Sequence, residues 1–282
     1  VSSVDLWQAL LNRLDAWRDD WRDRVATEAP EFTAGFPTTE LSDRRVFEAF
    51  TVALLSGNSR WDRIATVRPI LSEPFQNFDL ARFAALSDAD IDHSILPWFA
   101  RHRAGSAGLA NGLRRLRRTA ALLHRHGAHN YLRDVFLAAE GSADEAAILL
   151  GHSARWKLPG FGIALAAEAL RLLGFDLSKP DRHVLRALGS WGLVAFARWD
   201  RKGEFTAPQA SPKELASAMA TVRTLAGENQ VGTSYCTSII WTAGAISGAR
   251  LTNAEFAALA AEAAGEHVTS TGRGRRAVGT TR

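Results

Sequence analysis

Apolar residues recur at three- and four-residue spacing along almost the whole chain. Val46, Phe47, Phe50, Ala53 and Leu54 do so, as do Leu109, Leu113, Leu116, Ala120 and Leu123. That spacing fits the turn of a helix with one buried face, and alternating runs of strand length are scarce. The pattern predicts an all-α fold. Helices are expected over 4–24, 44–56, 60–70, 87–95, 109–123, 143–150, 163–173, 182–189, 212–226, 234–247 and 253–264. Start signals support several of them: Ser42-Asp43, Ser211-Pro212 and Asn253. The stretch 205–210 reads as a loop, and no internal repeat is visible.

The chain has 282 residues, 46% apolar and 23% charged, enough to build a hydrophobic core and too apolar to stay disordered. One cysteine, Cys236, excludes a disulfide framework, a Cys-rich zinc site or a four-cysteine iron–sulfur cluster within the chain. No apolar run approaches membrane-spanning length, and the first residues carry no basic segment followed by an apolar one. A cytoplasmic protein without membrane contact is expected. His124, His126 and His129 lie at a helix end without a nearby carboxylate, so no metal site is expected there.

Charge is unevenly placed. Residues 101–126 hold seven arginines, three histidines and no acid, whereas the first thirty residues hold six acids and four arginines. One basic stretch on a nearly neutral body suits a protein that turns one face to a polyanion, and equally a solvated basic helix. Residues 265–282 are Gly, Thr and Arg with little to bury, and are expected to be a disordered basic tail.

The segment richest in chemistry is Lys157-Leu158-Pro159-Gly160-Phe161-Gly162, followed by an apolar helix and then Lys179-Pro180-Asp181-Arg182-His183-Val184-Leu185-Arg186. Pro159 cannot continue a helix, and two glycines permit a tight turn. A helix hairpin closed this way aims backbone N–H groups and a new helix N-terminus outward together, which forms an anion site without a charged side chain. A plain tight turn is the competing reading. A dinucleotide-binding turn would need a preceding strand and a third small residue in register, and has neither. Asp181, taken alone, reads as a helix cap.

Together, Leu158-Pro159-Gly160-x-Gly162 and Asp181-x-His183-Val184-x-Arg186 form a compound signature. It resembles the helix-hairpin-helix DNA glycosylase superfamily, whose members include endonuclease III, the adenine and oxoguanine glycosylases and an alkylpurine glycosylase. The likeness reaches back to Leu54-Leu55-Ser56-Gly57-Asn58, with Asn58 where the family often has Gln, and so spans about half of the chain, residues 45–191.

The resemblance implies two helical lobes with a cleft between them, one over 46–175 and the other combining 1–45 with 176–264. It implies that Asp181 is the catalytic carboxylate. Leu158, Pro159, Gly160, Phe161 and Gly162 would hold the DNA backbone, with Arg186 at a phosphate or capping its own helix. Asn58 would face the orphaned partner base. Trp61 and Trp156 would line the base pocket, although core packing explains tryptophans equally well. His183 reads as a structural histidine and Glu48 as a surface acid. Arg114, Arg115, Arg117 and Arg118 could track the DNA backbone or simply be solvated. A monovalent cation on hairpin carbonyls, those of Leu158 and Phe161, is implied by the family alone; no other cofactor is expected.

Bifunctional members carry a lysine two residues after the second hairpin glycine, where this chain has Ala164; Lys157 does not match it. Ile163 stands where basic or polar residues are frequent. The expectation is therefore a monomeric, monofunctional glycosylase acting on double-stranded DNA. It would hydrolyse the N-glycosidic bond of a flipped-out damaged base, an alkylated purine being favoured by stacking, and leave an abasic site. Alternatives are a glycosylase for a bulky modified base in foreign DNA such as phage DNA, and a DNA-binding or lesion-sensing protein without catalysis.

Overall fold

Helices account for the regular structure of the residues described by the computed structural model, namely 2–28, 36–37, 40–58, 61–199 and 203–265. An isolated β bridge pairs Trp199 with Pro208. In order the helices are α1 (Ser3–Asp15), α2 (Trp21–Glu28), α3 (Asp43–Asn58), α4 (Trp61–Val67), α5 (Leu80–Ala84), α6 (Asp88–Asp90) and α7 (Leu96–Arg101). There follow α8 (Leu109–His126), α9 (Ala128–Ala138), α10 (Ala143–His152), α11 (Ile163–Leu173) and α12 (Arg182–Ser190). The last are α13 (Pro212–Glu228), α14 (Thr233–Ala245) and α15 (Asn253–Ala263). The fold is all-α, and no described helix is long and apolar enough to cross a membrane. The tail expected over 265–282 lies, beyond Gly265, outside the described residues.

Short polar side chains set many helix ends. Ser211 and Glu214 form a capping box on α13, with Pro212 in the first turn. Thr252, rather than the expected Asn253, caps α15 in the same way. Ser142 caps α10, and Asp181 caps α12.

Several helices depart from expectation, and α5 is not among those expected. The single helix expected over 4–24 is two, because the chain breaks after Ala16 and Trp21 folds back. Its indole Nε1 donates to Asp15 Oδ1 at 2.8 Å while its ring is fully buried. The helix expected over 87–95 continues through a wide π segment, Ile91–Ile95, into α7. There Leu96 N–H bonds to the Ile91 carbonyl, and Pro97 has no N–H to restore the α register. Helix α9 was not expected at all. Its cap comes from far along the chain: Asp43 Oδ1 accepts from Ala128 N at 2.9 Å.

Buried side chains fall into two groups. One runs from Leu41 to Leu177 and is centred on α3, α8, α10 and α11, with Met219 reaching it from α13. The other joins α1 and α2 to Val184–Ala260 on α12 to α15. Segment 174–180 passes between them and is pinned to the start of α14. Asp176 accepts from Thr233 N at 3.1 Å and Ser234 N at 2.7 Å. Ser234 Oγ accepts from Leu177 N at 3.1 Å.

Candidate functional site

The connection between α10 and α11 is a tight turn held from below by α8. Leu158 N–H donates to the Leu150 carbonyl at 2.9 Å, and Phe161 N–H to the Leu158 carbonyl at 3.1 Å. Thr119 Oγ1 donates to the Pro159 carbonyl at 2.9 Å. Leu158 and Phe161 are buried, so their side chains anchor the turn and do not face a ligand. Gly160 has φ +87°, and a Cβ there would sit 2.8 Å from Arg115 Cβ. Gly151 lets α10 touch the start of α11: a Cβ on it would lie 2.5 Å from Ile163 Cα.

Helix α11 begins at Gly162 with no side-chain cap. Its first-turn N–H groups have no partner within the helix, and together they carry the positive end of the helix dipole. Gly162 is exposed, and a Cβ there would meet nothing within 4 Å. The α8 arginines divide around this end. Arg114 pairs with Asp92 at 2.7 Å, and Arg117 with Asp88 at 2.9 Å and the Leu86 carbonyl at 2.7 Å. Arg115 and Arg118 are exposed and have no carboxylate partner among the described residues. Arg115 packs against Gly160, and Arg118 lies one turn further along α8. Two of the four arginines are therefore spent on the protein, and two remain beside the turn.

Of the two carbonyls expected to hold a monovalent cation, that of Leu158 accepts from Phe161 N–H at 3.1 Å, and no step below runs through a cation.

Asp181 is the N-cap of α12. Its Oδ1 accepts from His183 N at 2.9 Å and Val184 N at 3.2 Å, and its side chain is 16% exposed. Oδ2 lies 3.8 Å from Lys179 Nζ. Lys179 Nζ is in turn 3.5 Å from Glu168 Oε2, and Glu168 pairs with Arg171 at 3.2 Å. Burial pushes the Glu168 carboxyl up, but Lys179 and Arg171 outweigh it and hold the group below its ordinary range. Glu168 and Leu165 are one turn apart on α11, and a Cβ on Gly57 would meet Leu165 Cδ2 at 2.6 Å. One face of α11 thus runs from the end of α3 to Lys179, the neighbour of the Asp181 carboxylate.

Several sequence expectations require correction or relocation. Arg186 does not reach a phosphate. It is 1% exposed, and its donors are committed to Asn253 Oδ1 at 2.8 Å, the Gly244 carbonyl at 3.1 Å and the Leu251 carbonyl at 2.6 Å. It clamps α12 to α14 and α15. His183 is buried, with Nδ1 donating to the Gly244 carbonyl at 2.8 Å and Nε2 accepting from Arg182 Nε. Burial pushes it down to about 4, so it is neutral. Trp61 opens α4, half-buried against the first core group. Trp156 is half-buried too. Arg155 lies over its ring at 4.4 Å, so a stacking base would have to displace that guanidinium. A shallow pocket of about 330 Å³ beside it is lined by Leu122, His126, Tyr131, Asp134 and Arg155, and does not reach Asp181. Asn58 ends α3, and its side chain lies outside the described residues. Glu48 lines a second pocket, of about 380 Å³, with Arg44 and Arg68, also away from Asp181.

Sequence reasoning missed Lys179 and Glu168. The signal available was one acid in the apolar run Ile163–Leu173. Compared with protein-family models, curated proteins and solved structures, the chain finds no significant match.

Proposed function

We propose that the chain is a monofunctional DNA glycosylase with a cleft between two helical lobes built on the two core groups. The observation that carries this reading is the shared face of α11. One end of that helix starts without a side-chain cap at exposed Gly162, next to the Gly160–Arg115 contact, and from its middle Glu168 is linked through Lys179 to the fixed carboxylate of Asp181. Phosphates of the damaged strand bind the turn around Gly160 and Gly162, and the two arginines add charge along the backbone. The target nucleotide is flipped out to bring its sugar against Asp181.

The chemistry follows from that placement. The C1′–N bond breaks with its electron pair leaving on the base, and an alkylated purine, already cationic, departs neutral. Asp181 stabilises the oxocarbenium-like sugar, and water adds to C1′ with its proton passing to the carboxylate. With Ala164 where bifunctional relatives have lysine, the product is an intact abasic strand.

One observation favours a second reading, a DNA-binding protein without catalysis: Asp181 Oδ1 is fully used as the α12 cap, and capping alone would retain the residue. A base-release assay separates the two. Duplexes carrying 7-methylguanine, 3-methyladenine, uracil, hypoxanthine, 8-oxoguanine or hypermodified cytosines are incubated with wild type and with Asp181→Asn. Release by wild type alone, with strand breaks only after alkali, supports the glycosylase. Release confined to hypermodified cytosine makes it a glycosylase for foreign DNA. Binding without release from any duplex supports the second reading.

A further inference from the structure

Four charged side chains meet where α11, segment 174–180 and α12 converge: Arg171, Glu168, Lys179 and Asp181. None is more than 16% exposed. The chain of contacts is continuous. Arg171 bonds Ser238 Oγ on α14 at 2.8 Å and Glu168 at 3.2 Å; Glu168 lies 3.5 Å from Lys179, which lies 3.8 Å from Asp181 Oδ2. Taking such charges out of water is costly, and apolar residues of similar volume would often pack here at least as stably. Stability alone does not explain the cluster. Its outer end is the one carboxylate oxygen that the α12 amides leave unbound.

We propose that Lys179, braced by Glu168, is a positioning residue for the Asp181 carboxylate. This rests on the reading of Asp181 as the catalytic group. Two backbone N–H groups fix Oδ1. Lys179 is the only charged partner of Oδ2 among the described residues, and it orients that oxygen toward the flipped sugar. A lysine side chain is ordinarily too mobile to hold another group. Here Glu168 fixes the ammonium from behind, and Arg171 fixes Glu168 to α14. The catalytic carboxylate is thereby set against both core groups at once, through α11 on one side and α14 on the other. The cation near the reacting carbon comes from the segment before Asp181, not from residue 164 on α11.

The test compares wild type, Asp181→Asn, Lys179→Met, Lys179→Arg and the double variant Lys179→Met/Glu168→Gln. Each is measured in single-turnover base release on any duplex from which wild type releases a base, with DNA affinity and Tm alongside. Lys179→Met should slow release roughly 10- to 100-fold, as a small misplacement of a reacting group does, with affinity within about twofold. Lys179→Arg should recover most of the rate. In Lys179→Met, Glu168 keeps only Arg171 as a cation, so the double variant, which removes that carboxylate as well, should recover part of Tm and still release slowly.

A double variant that recovers rate together with Tm would overturn the proposal, because Lys179 would then serve only to neutralise Glu168. An unchanged rate in Lys179→Met, or an adduct on Lys179 trapped by borohydride, would overturn it equally. If wild type releases no base, or Asp181→Asn releases as fast as wild type, the glycosylase reading itself fails, and that result is distinct from every outcome at Lys179.

Discussion

Replacing Arg186 with methionine distinguishes a structural clamp from a phosphate contact. Methionine keeps an unbranched apolar stem in the space between Phe205 and Phe256, whose rings lie 5.2 and 5.6 Å from the guanidinium. It removes every donor. The Gly244 carbonyl keeps its bond from His183 Nδ1 at 2.8 Å, so two acceptors lose a partner: the Leu251 carbonyl and Asn253 Oδ1. Leaving a buried acceptor unmet costs about 1–3 kcal/mol, which applies to the Leu251 carbonyl; the half-buried Asn253 amide loses less. Part of that is returned because the guanidinium was itself costly to bury. Burial, with Arg250 and Arg182 nearby, pushes it down to about 10. The net loss should be about 2 kcal/mol, and with about 2–4 °C per kcal/mol in a chain of this size Tm should fall by roughly 4–8 °C. Thermal melting followed by circular dichroism reads this directly. DNA binding by the folded variant should keep the salt dependence of wild type. A Tm within about 2 °C of wild type, joined to a salt slope smaller by about one, would mean that Arg186 contacts phosphate and would refute the clamp.

The other perturbations divide fold from binding in the same manner. Gly162→Ala should keep stability within about 0.5 kcal/mol, since the added methyl meets nothing, yet weaken duplex binding by standing in the path of a phosphate. Gly160→Ala should lose stability as well, because its φ of +87° disfavours alanine and the methyl meets Arg115; a pair of melting and binding curves separates the two. Arg115→Ala and Arg118→Ala should each lower the salt slope of DNA binding by about 0.9 with Tm unchanged, whereas Arg114→Ala and Arg117→Ala, already paired with acids, should not. His183 gives a pH dependence. Its folded value, about 4, lies below the unfolded value, so the unfolded chain binds the extra proton and stability falls as pH drops from about 6.5 to 4. The loss is on the order of 3 kcal/mol and should be absent in the curve of His183→Gln.

Much of the fold was legible because its elements are locally consistent. Helix α8 shows its buried face in five apolar residues, and α13 announces itself with Ser211, Pro212 and Glu214. What stayed hidden depends on distant partners. Helix α9 is capped by Asp43, and α1 ends where Trp21 returns to Asp15; neither pairing leaves a periodic trace. The candidate site divides likewise. Turn 158–162 and the cap at Asp181 follow from proline, glycine and aspartate chemistry within a few residues. Arg186 reads as a surface cation until its three acceptors arrive from α14 and α15. Arg114 and Arg115 are neighbours of identical type. Only the acids of 88–92 and the backbone of Gly160 decide that one is neutralised and the other left beside the turn. Lys179 acquires its role from Glu168, which no spacing rule connects to it.

The central claim is that Asp181 does chemistry as well as capping α12. Asparagine keeps an acceptor for the His183 and Val184 amides and removes the charge, so Asp181→Asn is the direct comparison. Single-turnover base release and duplex affinity should be measured side by side for the two proteins on each modified duplex. Tm and affinity should be nearly equal, with release by wild type and a loss of about a hundredfold or more in the variant. Equal release by both proteins, or none by either with binding intact, would contradict it.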